Sequence, residues 1–272
     1  MNVKKLTWEE SVLWLRIQSD QQELVRAAFY DDPLIDAAER YFKSSEWLAL
    51  RSFFPSVKGK VLDIGAGRGI ASFAFAKEGW HVTALEPDNS SIVGANAIRR
   101  LANEASLAIE VVQEWGEALP FEDASFHVVH CRAVLHHTRD LKRLCSEINR
   151  VLLPGGAMIA TREHVIDCKK DLSVFLKLHP LHHLYGGENA FLLKEYLQAI
   201  KDSGLKLKHV LSPLASDINV YPTTLKSIKE KIARRLGIPV WLIPNAVLIL
   251  WGKVRRIPGK HYSFVATKPK NA

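Results

Sequence analysis

The stretch VLDIGAGRG, residues 61–69, places a short apolar run directly before three glycines at alternate positions. The run predicts a buried strand, and the apolar residues after it predict a helix to about residue 78. A strand that enters a helix through glycines is typical of a nucleotide-cofactor turn, because glycine lets the backbone approach a ligand closely. Ile70 stands where the dinucleotide fingerprint has its third glycine, which disfavours NAD or FAD.

Two carboxylates accompany this turn. Asp63 precedes the first glycine by two residues, where a carboxylate can meet an ammonium group directly or through water. Glu86 ends the next predicted strand about 20 residues on, where an acid accepts hydrogen bonds from both hydroxyls of a ribose. A cofactor with a ribose, a cation and no phosphate fits both groups, and S-adenosylmethionine (SAM) is such a cofactor.

Short apolar runs alternate with amphipathic helical patterns from residue 60 onward. Strands are predicted at 61–64, 81–85, 108–112, 126–131, 157–161, 206–211 and 261–268. Helices are predicted in several pieces over 7–54, and again at 90–102, 141–152 and 191–203. This alternation predicts an α/β protein with a doubly wound, mostly parallel sheet, preceded by N-terminal helices.

The composition is that of a soluble globular protein. Of 272 residues, 47% are hydrophobic and 24% are charged, which excludes disordered, collagen-like and disulfide-scaffold classes. Three scattered cysteines fit free thiols in a reducing compartment. Glu9 and Glu10 lie where a signal peptide has its apolar core, so we expect no signal peptide and a cytoplasmic location.

The net charge of +8 is concentrated near the C-terminus. Residues 213–272 hold eleven Lys or Arg against only two acidic residues. Within them, residues 236–252 carry no charge, but prolines interrupt this stretch, and its 17 residues fall short of the roughly 20 that a spanning helix needs. The stretch and its basic flanks, 226–256, fit a buried lid or a dimer contact with a solvated basic rim. Peripheral contact with the inner face of a membrane is the alternative. No aromatic platform is interleaved with the charges, so nucleic acid is not expected as a partner.

The chain resembles the class I SAM-dependent methyltransferases, in the broad group that contains the ubiquinone and sterol methyltransferases. The matching stretches follow the family's order over about residues 58–165: 61–69 (VLDIGAGRG), 84–88 (ALEPD), 116–126 (GEALPFEDASF), 134–137 (VLHH) and 147–156 (EINRVLLPGG). The resemblance implies a Rossmann-like fold, SAM as the cofactor and methyl transfer as the reaction. It also implies a helical cap at 1–56 and a methyltransferase domain at 57–272, with acceptor-side elements at 165–205 and an insertion at 213–260 before the last strand.

The resemblance also implies which residues hold the cofactor. The glycine turn takes the methionine and ribose end, Glu86 the ribose hydroxyls, and the later segments the adenine. The residues so implied are Asp63, Gly65, Ala66, Gly67, Glu86, Pro87, Trp115, Gly116, Glu117, Cys131 and Arg132. Trp115 departs from the family, which usually has an Asp there; indole cannot accept from the adenine amino group but can stack on the ring, and a packed lid residue is the alternative.

Ionisable residues crowd the ends of the fourth and fifth predicted strands. A hydroxyl acceptor must lose its proton as it attacks, and histidine removes a proton well at neutral pH. The candidate catalytic residues are therefore His136, His137, His164 and Glu163. The candidate acceptor-binding residues are Arg162, His179, His182, His183 and Tyr185. The last four lie in the segment HPLHHLYGGEN, residues 179–189. No metal is expected, although binding by the three histidines of this segment with Glu163 or Glu188 stays an alternative.

The sequence thus predicts methyl transfer to a small or lipid-linked acceptor, most simply at a hydroxyl oxygen. A sugar or glycolipid is the first candidate and a quinone or phenol is the second. A non-catalytic binding protein on the same fold is the rival interpretation, with Trp115 as its support. The oligomeric state is not predicted.

Overall fold

A computed structural model describes residues 5–270. Residues 1–4, part of the segment in which no signal peptide is expected, lie outside that range. Eight strands form one sheet: β1 (Lys60–Ile64), β2 (His81–Leu85), β3 (Ile109–Val112), β4 (Phe126–Arg132), β5 (Leu152–Ile166), β6 (Phe191–Leu192), β7 (Lys206–Leu211) and β8 (Lys260–Thr267).

The α-helices of the described residues fall into three groups. Before β1 lie α1 (Trp8–Ile17), α2 (Gln22–Ala27), α3 (Leu34–Phe42) and α4 (Ser45–Leu50). Between the strands lie α5 (Ile70–Lys77), α6 (Ala95–Ala105), α7 (Leu141–Val151), α8 (Asp171–Leu178), α9 (His182–Tyr185) and α10 (Leu193–Asp202). Between β7 and β8 lie α11 (Asp217–Val220), α12 (Leu225–Leu236) and α13 (Asn245–Val254).

The strand order is β3-β2-β1-β4-β5-β8-β7, and the short β6 pairs with β5. The pairs from β3 to β5 are parallel, and β8 runs antiparallel to both of its neighbours. The predicted doubly wound, mostly parallel sheet is confirmed. The chain winds outward from β1 through β2 to β3 and then crosses back to β4 on the other side of β1. The strand order therefore reverses between β1 and β4, and such a switch point opens a crevice at the carboxyl ends of the strands.

Apolar side chains cover both faces of the sheet. On one face, α7 and α10 pack against β1, β4 and β5. On the other face, α3, α4, α5 and α6 share a single core with the sheet. The N-terminal helices α3 and α4 are therefore part of the helical layer that covers this face. Helices α1 and α2 contribute instead to a small cluster that includes Leu181, and they therefore sit over the carboxyl ends of the strands.

A bulge interrupts β5 where it pairs with β8. Ala160 pairs with Phe264 and Glu163 with Tyr262, so two residues of β5 face one residue of β8. Arg162, inside the bulge, has a φ of 57°, in the left-handed region. Its backbone N–H donates to Ser263 Oγ at 3.1 Å, which satisfies a donor that the ladder leaves out.

Several predicted boundaries differ from the structure, most of all in α6 and in the fifth strand. Helix α6 begins at Ala95 and not at residue 90, because Ser90 Oγ accepts from the backbone N–H groups of Ile92 and Val93 and holds a local turn there. The fifth strand begins at Leu152, ahead of the predicted residue 157. The segment 179–189, which holds four of the acceptor-binding candidates, contains the one-turn helix α9.

Within residues 5–270, no helix is long and apolar enough to cross a membrane. The predicted insertion is built of α11 to α13, and its apolar residues are divided between a small buried cluster and an exposed surface. Leu248 packs against Ile243 and Leu214, whereas Trp241 is 80% exposed and Leu250 and Val254 are also exposed.

Candidate active site

One cavity of about 1160 Å³ lies beyond the carboxyl ends of β1, β2 and β4. It exceeds the roughly 300–1,000 Å³ of a typical small-molecule site, so it has room for two ligands. The N-terminal helices cover one end: Trp8 contacts Tyr185 with ring centroids 4.6 Å apart, and Tyr30 at 5.8 Å. The cavity has a cofactor end at the glycine turn and a histidine end beneath Trp8.

Asp63 lies at the cofactor end, next to the glycine turn. Its Oδ1 is 2.8 Å from His130 Nδ1, and Ser72 Oγ donates to its Oδ2 at 2.6 Å. Asp63 and His130 are partners in the β1–β4 register, which explains the contact. Two hydrogen bonds in a buried position fix this carboxylate, whose lone pairs remain available to a ligand ammonium group.

Glu86 is held at the end of β2 by the backbone of the glycine turn. Gly67 N–H donates to one of its oxygens at 2.7 Å, and Asp88 N–H donates to the other at 3.1 Å. Burial nevertheless raises the pKa of Glu86 from 4.5 to about 7. Gly65, with φ 61°, allows the turn, and a Cβ there would lie 2.7 Å from Val134 Cγ2. The arrangement fits SAM, whose ribose hydroxyls would donate to the Glu86 carboxylate.

The adenine-side residues also line the cavity: Pro87, Trp115, Gly116 and Glu117. Glu117 accepts from Thr138 Oγ1 at 2.6 Å and from Arg139 N–H at 3.1 Å, so its side chain ties together the walls of this region. Trp115 is 66% exposed, at the rim of the cavity, so its indole does not block the region where the resemblance places the adenine.

Arg132 follows β4 and is committed to an ion pair. Its Nε and Nη2 donate to the two oxygens of the fully buried Glu46, at 2.6 and 3.0 Å. Burial by itself would lower the pKa of Arg132, but the Glu46 carboxylate raises it above its ordinary value. Arg162 donates to the carbonyls of Ile218 and Tyr221, both at 3.1 Å. These two guanidinium groups therefore shape the cavity wall.

His136 and Glu163 form a buried dyad at the histidine end. His136 Nδ1 lies 2.7 Å from Glu163 Oε2, and the N–H groups of Val134 and His136 also donate to that carboxylate. Burial raises the pKa of Glu163 to about 7 and lowers that of His136 well below 6.5. The N–H groups favour the ionised carboxylate, so His136 donates through Nδ1 and its Nε2 carries a lone pair.

His137 and His164 have the same tautomer as His136, because an acceptor lies behind Nδ1 of each ring. His137 Nδ1 lies 3.1 Å from the carbonyl of Gly187, and His164 Nδ1 lies 3.0 Å from that of Gly259. A carbonyl only accepts, so each Nδ1 bears the proton and each Nε2 is bare. Burial lowers the pKa of His164 to about 3, whereas the side chain of His137 is 39% exposed.

Glu188 completes the histidine end. Its carboxylate accepts from Tyr185 Oη through Oε1, and Oε2 lies 3.8 Å from His136 Nε2 and 4.0 Å from His137 Nε2. Burial would raise the pKa of Glu188, but the neighbouring histidines, His137 and His179 first, hold it below its ordinary value. Glu188 is therefore an ionised, buried carboxylate.

Most of the predicted site residues line this cavity, and four do not. Cys131 is buried in the core, and Glu163 lies behind His136, to which it is hydrogen-bonded, outside the cavity lining. His182 and His183 lie on α9, outside the lining. Sequence reasoning missed lining residues whose segments carry no motif: Trp8, Tyr30 and His261.

Comparison with known proteins agrees with this geometry. The profile of a methyltransferase-domain family matches residues 62–160. Human thiol S-methyltransferase TMT1A is 31% identical over 171 residues, which are 60% of this chain and 68% of TMT1A. Glycine/sarcosine/dimethylglycine N-methyltransferase of Actinopolyspora halophila is 34% identical over 143 residues, 52% of this chain but only 25% of that enzyme.

Solved structures show the same fold. Geranyl diphosphate C-methyltransferase from Streptomyces coelicolor, solved with Mg²⁺, geranyl diphosphate and S-adenosyl-L-homocysteine (SAH), matches with a TM-score of 0.59 at 16% identity. The match covers 93% of this chain and 86% of that chain. The predicted family and cofactor are confirmed: the chain is a member of the class I SAM-dependent methyltransferases.

Proposed function

We propose that the chain transfers a methyl group from SAM to a hydroxyl oxygen of a small or lipid-linked acceptor bound at the histidine end of the cavity. The observation that carries this proposal is the set of bare Nε2 atoms on His136, His137 and His164. All three residues line the same cavity as Asp63 and Glu86. A hydroxyl must lose its proton as it attacks, and unprotonated imidazole nitrogens accept one.

His137 is the residue to which we assign the role of base. Burial lowers the pKa of both His136 and His164, and a base of such low pKa takes a proton poorly. His137 is half-exposed, so it can release the proton to solvent after each turnover. Bound SAM supplies the methyl group. His137 Nε2 takes the hydroxyl proton as the oxygen–carbon bond forms and the carbon–sulfur bond breaks.

The polar lining favours a hydroxylated acceptor such as a sugar over a purely apolar one. His179, Tyr185 and Glu188 line the acceptor end and offer donors and acceptors for several hydroxyl groups. A phenol or quinol is the second candidate, since Trp8 and Tyr30 supply aromatic faces.

A thiol acceptor is a second candidate function, favoured by the 31% identity with a thiol S-methyltransferase. Methyl-labelled SAM offered with a monosaccharide, a catechol, a hydroquinone and 2-mercaptoethanol separates these classes. Label in the sugar, catechol or hydroquinone supports the proposal, whereas label in the thiol alone contradicts it.

His137→Ala tests the base, with His183→Ala as the matched control outside the cavity. We expect His137→Ala to lower kcat by roughly 10²–10⁴-fold while SAH affinity stays within about twofold. His183→Ala should leave both unchanged. Retained turnover in His137→Ala, or a loss confined to SAH binding, would contradict the assignment.

We also propose that the surface formed by Trp241, Leu250, Trp251 and Val254 contacts an anionic lipid surface. Their exposure argues against a buried lid, and the basic residues of 226–256 offer charge complementarity to acidic headgroups. A membrane-held acceptor would then be presented close to the enzyme.

Co-sedimentation with vesicles tests this surface. The full chain should bind vesicles of one-third phosphatidylglycerol in a salt-sensitive manner, and bind pure phosphatidylcholine weakly. The double variant Trp241→Ala/Leu250→Ala should lose most of that binding, whereas Trp14→Ala, an exposed tryptophan on α1, should not. Equal binding by the double variant, or self-association through this surface, would refute the proposal.

A further inference from the structure

We propose that the histidine end holds a divalent transition-metal ion, bound by His136 Nε2, His164 Nε2 and the carboxylate of Glu188. One ligand atom from each residue lies within 4.8 Å of the others. His136 Nε2 and Glu188 Oε2 are 3.8 Å apart. Two donors on one tetrahedral zinc ion lie about 3.3 Å apart, so small side-chain rotations bring the three into coordination distance.

Both imidazoles are prepared for this role by a second hydrogen bond. His136 donates its Nδ1 proton to the Glu163 carboxylate, and His164 donates its own to the Gly259 carbonyl. Metal-ligating histidines almost always donate the other ring nitrogen to a carboxylate or a carbonyl, which fixes the ring and the tautomer. The two lone pairs that remain belong to the proposed ligand atoms.

Glu188 provides an independent indication. Glu188 is 8% exposed, and its Oε2 atom has no hydrogen-bond partner among the described residues. A buried carboxylate oxygen without a partner is costly. The Nε2 atoms of His136 and His137 lie 3.8 and 4.0 Å from this oxygen, beyond hydrogen-bond distance, so neither satisfies it. A cation between the carboxylate and the imidazoles would satisfy it.

The donor set selects the class of ion. Imidazole with carboxylate suits Zn²⁺, Fe²⁺, Mn²⁺, Co²⁺ and Ni²⁺, whereas Mg²⁺ and Ca²⁺ prefer oxygen donors alone. Two imidazoles and one carboxylate leave further coordination positions open toward the cavity.

The location of the site differs from both sequence expectations. No metal was the first expectation, and the alternative used His179, His182 and His183 with Glu163 or Glu188, so Glu188 is the one ligand that the proposed site shares with it. His182 and His183 lie outside the cavity lining. His179 Nδ1 accepts from Leu181 N–H at 3.4 Å, so its Nε2 carries the proton and offers no lone pair.

A metal ion at this site would also restrict the class of acceptor, an inference that rests on the proposed function. An ion with open positions favours an acceptor with two adjacent oxygens, such as a vicinal diol of a sugar or a catechol. Coordination lowers the pKa of a bound hydroxyl, and His137 stays free to take its proton.

Metal titration of the full chain, after treatment with a chelator, tests the site. We expect one Co²⁺ per chain by calorimetry, with visible absorption typical of a low-coordinate Co²⁺ ion, competition by Zn²⁺ and none by millimolar Mg²⁺. Glu188→Gln and His164→Ala should each weaken Co²⁺ binding at least 100-fold. Glu163→Gln weakens the hydrogen bonds that this side chain accepts from His136 Nδ1 and from the backbone of Val134 and His136, and it should weaken Co²⁺ binding by roughly 10–100-fold.

His182→Ala and His183→Ala are the matched controls and should bind Co²⁺ as the unchanged chain does. Equal Co²⁺ affinity in Glu188→Gln, or a loss caused by either control, overturns the proposal. SAH affinity and the unfolding temperature are measured for every variant, and Glu188→Asp and His164→Gln replace any variant that fails to fold. SAH binding without Co²⁺ binding refutes the metal site alone, whereas Co²⁺ binding with no methyl transfer to any acceptor refutes the proposed function alone.

Discussion

Asp63 of β1 and His130 of β4 are joined by a buried 2.8 Å contact between Oδ1 and Nδ1, directly behind the glycine turn. The contact uses one edge of the carboxylate and Ser72 uses part of the other. The charge of Asp63 is thereby held at the cofactor end of the cavity.

Asp63→Asn should weaken the binding of SAM and SAH by roughly 10–100-fold, because a hydrogen bond to a charged group contributes about 1.5–3 kcal/mol. Calorimetric titration with SAH measures the change. Glu110→Gln is the control, since Glu110 accepts from Thr83 Oγ1 on the β2–β3 side and lies outside the cavity lining. Unchanged SAH affinity in Asp63→Asn would show that this carboxylate does not hold the ammonium group.

SAH binding should weaken as the pH falls below 7. The pKa of Glu86 is about 7 in the free protein, and the ribose needs the ionised carboxylate. Below that pKa, we expect the apparent Kd to rise toward tenfold per pH unit, and Glu86→Gln should bind weakly and without this slope. A titration series from pH 5.5 to 8.5 checks the profile; a flat profile for the unchanged chain contradicts it.

The raised pKa of Glu86 also affects the stability of the free protein, which depends on pH in the opposite direction to SAH affinity. Because the folded pKa lies above the ordinary value of 4.5, the free protein binds more protons than the unfolded chain between about pH 4.5 and 7. The Glu86 contribution to the free energy of unfolding therefore falls as the pH rises through that window. Added SAH should raise the unfolding temperature more at pH 8 than at pH 6.

We expect the rim indole of Trp115 to stack on the adenine, so Trp115→Ala should weaken SAH binding about fivefold, since such stacking contributes about 1 kcal/mol. Trp115→Phe should retain most of the affinity. Trp241→Ala, at an exposed tryptophan outside the cavity, controls for nonspecific effects. Equal affinity in Trp115→Ala would make this residue a rim residue without a ligand contact.

Glu46→Ala should lower the free energy of unfolding by about 3–5 kcal/mol, because it leaves the largely buried guanidinium of Arg132 without its carboxylate. Glu230→Ala removes an exposed contact with Lys226 and should change stability by less than about 0.5 kcal/mol. Urea unfolding of both variants measures the difference. Similar small changes in both would show that the buried pair is not a stabilising element.

The fold and the cofactor end were predictable because their determinants are local. The glycine turn, Asp63 and Glu86 lie within 24 consecutive residues, at spacings set by one strand, one helix and the next strand. The alternation of apolar runs indicated the sheet for the same reason. Only tertiary packing could show that Trp115 stays at the rim.

The histidine end was predictable only as a set of residue types. His136, His164 and Glu188 come from three separate segments, and no spacing rule indicates that they meet. Glu46 is 86 residues from Arg132, so the buried pair had no local signal. The tautomers depend on the carbonyls and carboxylate behind each ring, which sequence does not place.

The bulge in β5 shifts the phase of side-chain alternation along that strand by one residue. Before it, the even-numbered Ala160 faces the core under α7; beyond it, the odd-numbered Val165 does. An uninterrupted strand would exchange the directions of Glu163 and His164. The extra residue that the bulge absorbs therefore decides that the Glu163 carboxylate is sealed in the interior while the His164 imidazole opens on the cavity, and a strand straightened with all its residues retained would present the carboxylate to the acceptor instead.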